Sequence, residues 1–164
     1  KGLPPQPLVF VCIAGAYFVV GAFQDDSPLF EGGSVYVYMH NGSAWQNASK
    51  LVGSSVLAND WFGRSVATID AGRFAVGAYT DDEAGEDSGS VYLFTYDGAG
   101  SWGEEAKLVP SDGAAFDSFG IALVAVGTEQ LAVGSYLSDV SGTDSGSVYV
   151  FLYNGTDWEE SAKL

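Results

Sequence analysis

The tetrapeptide Gly-Ser-Val-Tyr occurs three times in this chain, at residues 33–36, 89–92 and 146–149. The copies start 56 and 57 residues apart. A constant period of this size is typical of repeat proteins, in which each copy forms one unit of supersecondary structure and neighbouring units share a core. The period therefore constrains the fold more than any other feature, and it allows the three copies to be compared position by position.

Further landmarks recur at the same spacing. Val-Gly followed by Ala or Ser stands at 20–22, 76–78 and 133–135, and Lys-Leu stands at 50–51, 107–108 and 163–164. The middle and last copies open with Phe-Gly, preceded two residues earlier by aspartate, whereas the first copy has Gln6 and Pro7 there. The residues expected to fix the structure of the repeat are Phe62, Gly63, Gly77, Phe119, Gly120 and Gly134.

Each copy predicts four short strands. In the middle copy they cover residues 64–69, 74–78, 90–96 and about 102–108, and the second is nearly all apolar, as in strands that are covered on both faces. Asn-Gly or Asp-Gly after the third strand favours a tight hairpin, and no helical periodicity is present. The chain is therefore predicted to be all-β, built from four-stranded antiparallel propeller blades. A β-solenoid is the alternative, although its repeats are usually shorter.

The repeat boundaries predict three blades, at 8–51, 52–108 and 109–164, after a proline-rich linker at 1–7. Closed propellers typically have about 4–8 blades. Three blades therefore predict a partial propeller, or part of a larger propeller or assembly. We expect a protein partner or identical copies of the chain to complete it.

The segment Phe-Gly-Arg-Ser-Val-Ala at 62–67, followed by Ala-Val-Gly-Ala at 75–78, resembles the FG-GAP repeat. That repeat builds the propeller of integrin α-subunits and occurs in many bacterial and algal surface proteins. The resemblance covers essentially the whole chain and implies an extracellular or cell-surface protein with a structural or adhesive role, not an enzyme. Integrin-type repeats often bind calcium between strands one and two, but the connection at 70–72 is too short for such a loop.

The chain has 21 acidic residues against 6 basic ones, a formal charge of −15. This charge repels the phosphates of nucleic acids and of anionic membranes, so neither is an expected partner. The apolar run at 8–22 is shorter than the roughly 20 residues of a membrane-spanning helix. Because the run aligns with the middle copy without a gap, we expect two buried strands, with no membrane insertion and no targeting segment.

Acidic residues recur in the loop between strands two and three. They are Asp26 and Glu31, Asp82 and Asp87, and Asp139 and Asp144. Calcium binds about six to eight oxygen atoms, so these residues are candidate ligands and calcium is the one candidate cofactor. The alternative is that the aspartates stabilise turns by accepting hydrogen bonds from the nearby backbone.

Three N-glycosylation sequons begin at Asn41, Asn47 and Asn154. Two of them lie on expected hairpin tips, where a covalent N-glycan would be exposed and would fit a secreted protein. The alternative is that Asn-Gly is present only because it suits the turn.

The recurring tryptophans Trp45, Trp102 and Trp158 open strand four and predict packing between blades. Trp61, which is replaced by serine in the next copy, is expected to be more exposed. Exposed tryptophans can stack on sugars, so a carbohydrate-binding lectin is one alternative function. An accessory propeller domain of a larger secreted enzyme is another. His40 is the one histidine, and no nucleophile motif accompanies it, so a catalytic triad is not predicted.

Overall fold

The computed structural model of the chain describes residues 10–26, 29–46, 48–139 and 142–164. In these ranges the regular structure consists of β-strands, and no helix that could cross a membrane is present. The strands are β1 (Phe10–Ala14), β2 (Tyr17–Ala22), β3 (Ser34–Met39), β4 (Ser49–Leu51), β5 (Ser65–Asp70), β6 (Arg73–Ala78), β7 (Ser90–Tyr96), β8 (Trp102–Leu108), β9 (Phe119–Ala125), β10 (Gln130–Ser135), β11 (Ser147–Tyr153) and β12 (Trp158–Lys163).

The strands form three four-stranded sheets. β1–β4 make the first sheet, β5–β8 the second and β9–β12 the third, and each strand pairs antiparallel with the next one along the chain. In the second sheet the strands start and end within one residue of the predicted bounds. The prediction of an all-β chain made of antiparallel sheets is therefore confirmed.

Turn residues explain where strands three and four meet. Gly98 and Gly155 lie in the left-handed region, with φ of 76° and 103°. The Oδ1 atom of Asp97 accepts hydrogen bonds from the backbone N–H groups of Ala99 and Ser101, at 2.7 and 2.9 Å. Asp-Gly and Asn-Gly thus reverse the chain through a glycine that tolerates positive φ and a side chain that satisfies the turn backbone.

The first sheet departs from the predicted pattern. Its fourth strand, β4, is only three residues long, and Trp45 forms an isolated bridge with His40 instead of opening that strand. The apolar run predicted as two strands does form the antiparallel pair β1 and β2. The predicted linker at 1–7 and the sequon residue Asn47 lie outside the described residues.

Two apolar layers lie between the sheets. The first layer contains Tyr17, Val19, Val35 and Val37 of the first sheet and Phe62, Phe74, Val76, Tyr92 and Phe94 of the second repeat. The second layer contains Ala75, Val91 and Leu93 of the second sheet and Phe119, Leu131, Val133, Tyr149 and Phe151 of the third repeat. The second sheet is therefore covered on both faces, which explains why β6 is apolar along nearly its whole length.

The first strands of the sheets are neighbours, since β5 contacts both β1 and β9. Successive sheets that stack face to face around their first strands fit the arrangement of blades in a propeller. This stacking places the Phe-Gly segments of the second and third repeats against the sheet of the preceding repeat, as described below.

Candidate functional site

The acidic residues considered as calcium ligands form the same turn in all three repeats. In each pair the Oδ1 atom of the first residue accepts a hydrogen bond from the backbone N–H of the second: Asp26 from Glu31 (2.9 Å), Asp82 from Asp87 (2.8 Å) and Asp139 from Asp144 (2.7 Å). The second residue of each pair is left-handed, with φ of 46°, 53° and 54°. The first aspartate of each pair therefore stabilises an unfavourable backbone conformation, and calcium binding by these loops stays a prediction.

The pair in the third repeat also lines a cleft of about 360 Å³. Asp139 and Asp144 share this cleft with Asp112, Asp117 and Lys163. Lys163 donates to Asp112 at 2.7 Å, so a cation already neutralises one of the acids. Across the described ranges, no three His, Cys, Asp or Glu side chains form a group that could hold a metal ion. The cleft offers negative charge without an assembled set of metal ligands.

A buried carboxylate joins the recurring tyrosine and lysine in the second repeat. The side chain of Asp81 is 3% exposed and accepts the O–H of Tyr92 at 2.8 Å and the Nζ of Lys107 at 2.9 Å. Lys107 also donates to Glu83 at 2.9 Å and to the hydroxyl of Ser55 at 3.0 Å. Burial lowers the pKa of Lys107, but its hydrogen bonds to Asp81 and Glu83 outweigh burial and raise it, so the lysine stays charged.

The first repeat holds the same cluster. Asp25 accepts hydrogen bonds from the hydroxyls of Ser34 and Tyr36, at 2.7 and 2.9 Å, and pairs with Lys50 at 2.9 Å. Burial, with the hydrogen bond to Asp25, raises the pKa of Tyr36 and keeps it a donor. The tyrosine of Gly-Ser-Val-Tyr and the lysine of Lys-Leu thus recur together because both bind one aspartate.

The third repeat keeps the tyrosine and the lysine but takes its aspartate from a different segment. Ser138 stands where the second repeat has its buried aspartate, and Asp112 stands where the second repeat has serine. Tyr149 and Lys163 both bind Asp112, each at 2.7 Å. The hydrogen bonds from Lys163 and Tyr149 lower the pKa of Asp112, so this carboxylate is ionised at neutral pH. Aspartate and serine have therefore exchanged places, and the cluster retains a single central carboxylate.

The Phe-Gly motifs of the second and third repeats lie at the contact with the preceding sheet. Phe62 and Phe119 are fully buried. Each forms an isolated parallel bridge with a glycine of the preceding repeat, Gly33 for Phe62 and Gly89 for Phe119. The motif therefore contributes a ring to the apolar layer between two sheets and a backbone edge to the preceding repeat.

Glycines allow the two backbones to approach at this contact. A Cβ atom on Gly21 or Gly77 would lie far inside the contact distance of the carbonyl oxygen of Gly63 or Gly120, respectively. Gly63 and Gly120 are left-handed, with φ of 93° and 90°. Both sides of the contact thus require a residue without a side chain.

The outer side of the third sheet, here called the open face, exposes apolar side chains. They are Val124 (59% exposed), Val126 (54%) and Val148 (40%). The residues one repeat earlier are buried beneath the third repeat, namely Ala67 (4%), Ile69 (7%) and Val91 (0%). The open face is therefore as apolar as a sheet face that packs against a neighbouring sheet, but within the described structure no sheet packs against it.

The tryptophans divide into packed and exposed ones. Trp102 packs between the first and second sheets against Tyr17, with ring centroids 4.8 Å apart, and Trp158 belongs to the second apolar layer. Trp45 is 49% exposed. The expectation that Trp61 is the more exposed tryptophan is wrong, because it is half-buried and its ring contacts Phe23 and Tyr79. Packing between sheets therefore explains two of the three recurring tryptophans.

The two described sequon asparagines lie on exposed hairpin tips. The Oδ1 atom of Asn41 accepts from the backbone N–H groups of Ser43 and Ala44, both at 3.0 Å. The Oδ1 atom of Asn154 accepts from the backbone and the hydroxyl of Thr156, at 3.0 and 2.9 Å. Both asparagines therefore have a role in the turn, and their exposure leaves room for a glycan.

No curated protein matches the chain. The family of the FG-GAP repeat matches it twice, at residues 45–94 and 102–151. The matches cover more than half of the chain and include the second Phe-Gly contact, β5, β6 and most of β7 in the second sheet, and β9, β10 and most of β11 in the third. On this evidence, the chain belongs to the FG-GAP repeat family.

Proposed function

We propose that the three sheets are successive propeller blades and that the chain is a non-enzymatic structural or adhesion module acting outside the cell through protein–protein contacts. FG-GAP repeats are found in integrin-like propeller domains, and the family is generally a non-catalytic structural domain. In this proposal further blades, from a protein partner or from identical copies of the chain, cover what the three blades leave open.

The observation that carries the proposal is the open face. Burial of apolar surface stabilises a fold by about 25 cal/mol per Å². The equivalent side chains of the second sheet are buried, whereas the valines of the open face are exposed and do not contribute in this way. A surface of this kind on a soluble protein commonly marks an interaction site. Function is therefore assigned to surfaces rather than to a catalytic cavity.

The extracellular location is supported by the family, whose repeats typically occur in extracellular or surface proteins. The sequons fit the same location, and we propose that Asn41, Asn154 and Asn47 carry N-glycans. Intact mass before and after glycosidase treatment of protein from a eukaryotic secretory host tests this. A mass loss of glycan size is expected, and an unchanged mass at the sequence value would contradict it.

Whether the open face mediates association can be tested by size-exclusion chromatography with light-scattering detection. We expect concentration-dependent assembly of the purified chain, or binding to a protein partner, that is lost in the variant V124K/V148K. Both valines are exposed, so the charges weaken contacts without unfolding the chain. A variant with lysine at two exposed polar positions outside the sequons, Q46K/S101K, controls for charge alone. Monodisperse monomers at every concentration would refute assembly from identical copies.

A further inference from the structure

The contact between successive repeats has a defined set of backbone hydrogen bonds. At the first contact the N–H groups of Asn59, Trp61 and Phe62 donate to the carbonyls of Phe30, Glu31 and Gly32, at 3.0, 3.3 and 2.9 Å. At the second contact the N–H groups of Phe116, Ser118 and Phe119 donate to the carbonyls of Glu86, Asp87 and Ser88, at 2.7, 3.1 and 2.9 Å. The same three loop positions of one repeat thus accept from the Asp-x-Phe-Gly opening of the next.

The third repeat presents this acceptor loop without a repeat bound to it. Its loop has the left-handed φ of 54° at Asp144, against 53° at Asp87, and the same bond from Asp144 to Asp139. Thr143 and Asp144 occupy the positions whose carbonyls accept at the second contact, and among the described residues no backbone N–H donates to either carbonyl. The loop is therefore already in its acceptor conformation, which removes an ordering cost from binding.

Gly134 supplies the close approach that the other two contacts use. It corresponds to Gly77 and Gly21, where a Cβ would collide with the carbonyl of the incoming glycine. At Gly134 a Cβ would instead meet only Ala122 and Ile121 of its own strand pair, at 3.4 Å or more, which is ordinary contact. Nothing within the described structure requires glycine at this position.

We infer that the edge formed by residues 143–146, together with Gly134 and the open face, binds the Asp-x-Phe-Gly opening of another FG-GAP blade. The inference rests on the proposed function and names the partner of the same surface. The incoming backbone lies parallel to Gly146, as Phe62 does at Gly33 and Phe119 at Gly89. Its amides at the positions of Phe116 and Ser118 donate to the carbonyls of Thr143 and Asp144, and its first strand covers Val124 and Val148.

The first blade of a second copy does not fit this site. The sequence has Gln6 and Pro7 at the positions of Phe62 and Gly63. Gly63 has φ of 93°, whereas proline is fixed near about −65°. The other two Phe-Gly segments of a copy are already used inside that copy. The occupant is therefore a blade that carries an intact Asp-x-Phe-Gly and whose motif is not already covered.

The test extends the full chain after Leu164 with a second copy of residues 109–164, which brings Asp-Ser-Phe-Gly to the repeat spacing. Hydrogen exchange measured by mass spectrometry reports on the acceptor face and on the added opening segment. We expect exchange in the strand at 119–125 of the original third repeat to slow at least about tenfold relative to the three-blade chain, with a single thermal transition.

Two matched variants decide whether the added blade uses the proposed site. G134A leaves the three-blade chain folded and as stable as the parent, because its Cβ has room, but in the four-blade chain it abolishes the added protection. Replacing Phe-Gly by Gln-Pro in the added copy alone has the same effect. Protection that survives either variant, or an added blade that folds without slowing exchange on the acceptor strand, overturns the inference.

The outcomes also separate this inference from the proposed function. If the added blade does not dock while the unextended chain still assembles through the open face, the inference is wrong and the proposed function stands. Self-association of the unextended chain that G134A abolishes makes a second copy the occupant and likewise overturns the inference. If the added blade docks but the chain neither assembles nor binds a partner, the proposed function fails instead.

Discussion

The exchange of aspartate and serine between the second and third repeats predicts a specific double-mutant result. In the second repeat Ser55 and Asp81 lie beside the recurring lysine and tyrosine. In the third repeat Asp112 and Ser138 lie beside the equivalent lysine and tyrosine. The double variant S55D/D81S gives the second repeat the arrangement of the third. We therefore expect it to be far more stable than D81S alone.

The magnitude follows from the contacts of Asp81. Its carboxylate is 3% exposed and accepts from Tyr92, Lys107 and the backbone N–H of Glu83. Removing one partner of a fully buried ion pair costs about 3–5 kcal/mol. Lys107 is 17% exposed and keeps Glu83 at 2.9 Å, so we expect D81S to lower the free energy of unfolding by about 2–3 kcal/mol.

The other two variants complete the cycle. S55D alone adds a third carboxylate beside Lys107, which already pairs with Asp81 and Glu83, and is expected to cost about 1 kcal/mol through like-charge repulsion. The double variant restores one carboxylate to Tyr92 and Lys107 and should lie within about 1 kcal/mol of the parent. The two substitutions therefore couple by about 2–4 kcal/mol, well above the ~0.5 kcal/mol within which independent sites add.

Guanidinium denaturation with linear extrapolation measures the four free energies of unfolding. A loss of 2–3 kcal/mol corresponds to a fall in Tm of about 4–12 °C for a chain of this size. If the double variant loses the sum of the single losses, the two positions do not share one cluster and the reasoning is refuted. The same cycle at exposed positions, S43D with T156D, serves as a control that should be additive.

Three further predictions concern single groups. Burial raises the pKa of Asp60 from 3.8 to about 6, so ionisation of Asp60 opposes folding and Tm should fall as pH rises from about 4 to 6. D60N should remove that fall in Tm and add at most about 3 kcal/mol to the free energy of unfolding at pH 7. A pH profile of Tm that D60N leaves unchanged would contradict the assignment. Glu104 accepts hydrogen bonds from the backbone N–H and the hydroxyl of Ser54 at 2.7 and 2.8 Å, and Glu160 accepts likewise from Ser111. In denaturant titrations E104A and E160A should each lower the free energy of unfolding by about 1 kcal/mol. The two losses should add in the double variant because the residues act in separate repeats. Because Asp139 already stabilises its turn, millimolar calcium should leave Tm unchanged; a rise in Tm that D139N/D144N abolishes would instead support a calcium site.

Much of the fold could be predicted from the sequence because the patterns that determine it are local and repeated. Apolar runs, Asp-Gly or Asn-Gly turns and three aligned copies set the strands of the second sheet to within one residue. The fourth strand of the first sheet is harder to predict, because Trp45 keeps its place in the alignment of the repeats whereas β4 is only three residues long. A residue type alone does not report how long a strand remains paired.

The contacts between distant segments were not predictable in the same way. Ser55 and Asp81 lie in different loops, and only the folded chain brings them to one lysine. The exchange with Asp112 and Ser138 was visible in the alignment as two compensating differences, but their proximity was not. Similarly, Trp61 is enclosed by Phe23 of the preceding repeat and by Tyr79, so its absence from the third repeat did not indicate exposure.

The displaced aspartate also limits how the gene for such an array can recombine. A crossover between the second and third repeats that falls between the two exchanged positions would join Ser55 to Ser138, leaving the lysine and tyrosine with no carboxylate. The reciprocal product would join Asp112 to Asp81 and Glu83 and place three carboxylates beside one lysine. Hybrid repeats of either kind would start with a destabilised cluster, whereas duplication of a whole repeat keeps each aspartate with its own lysine.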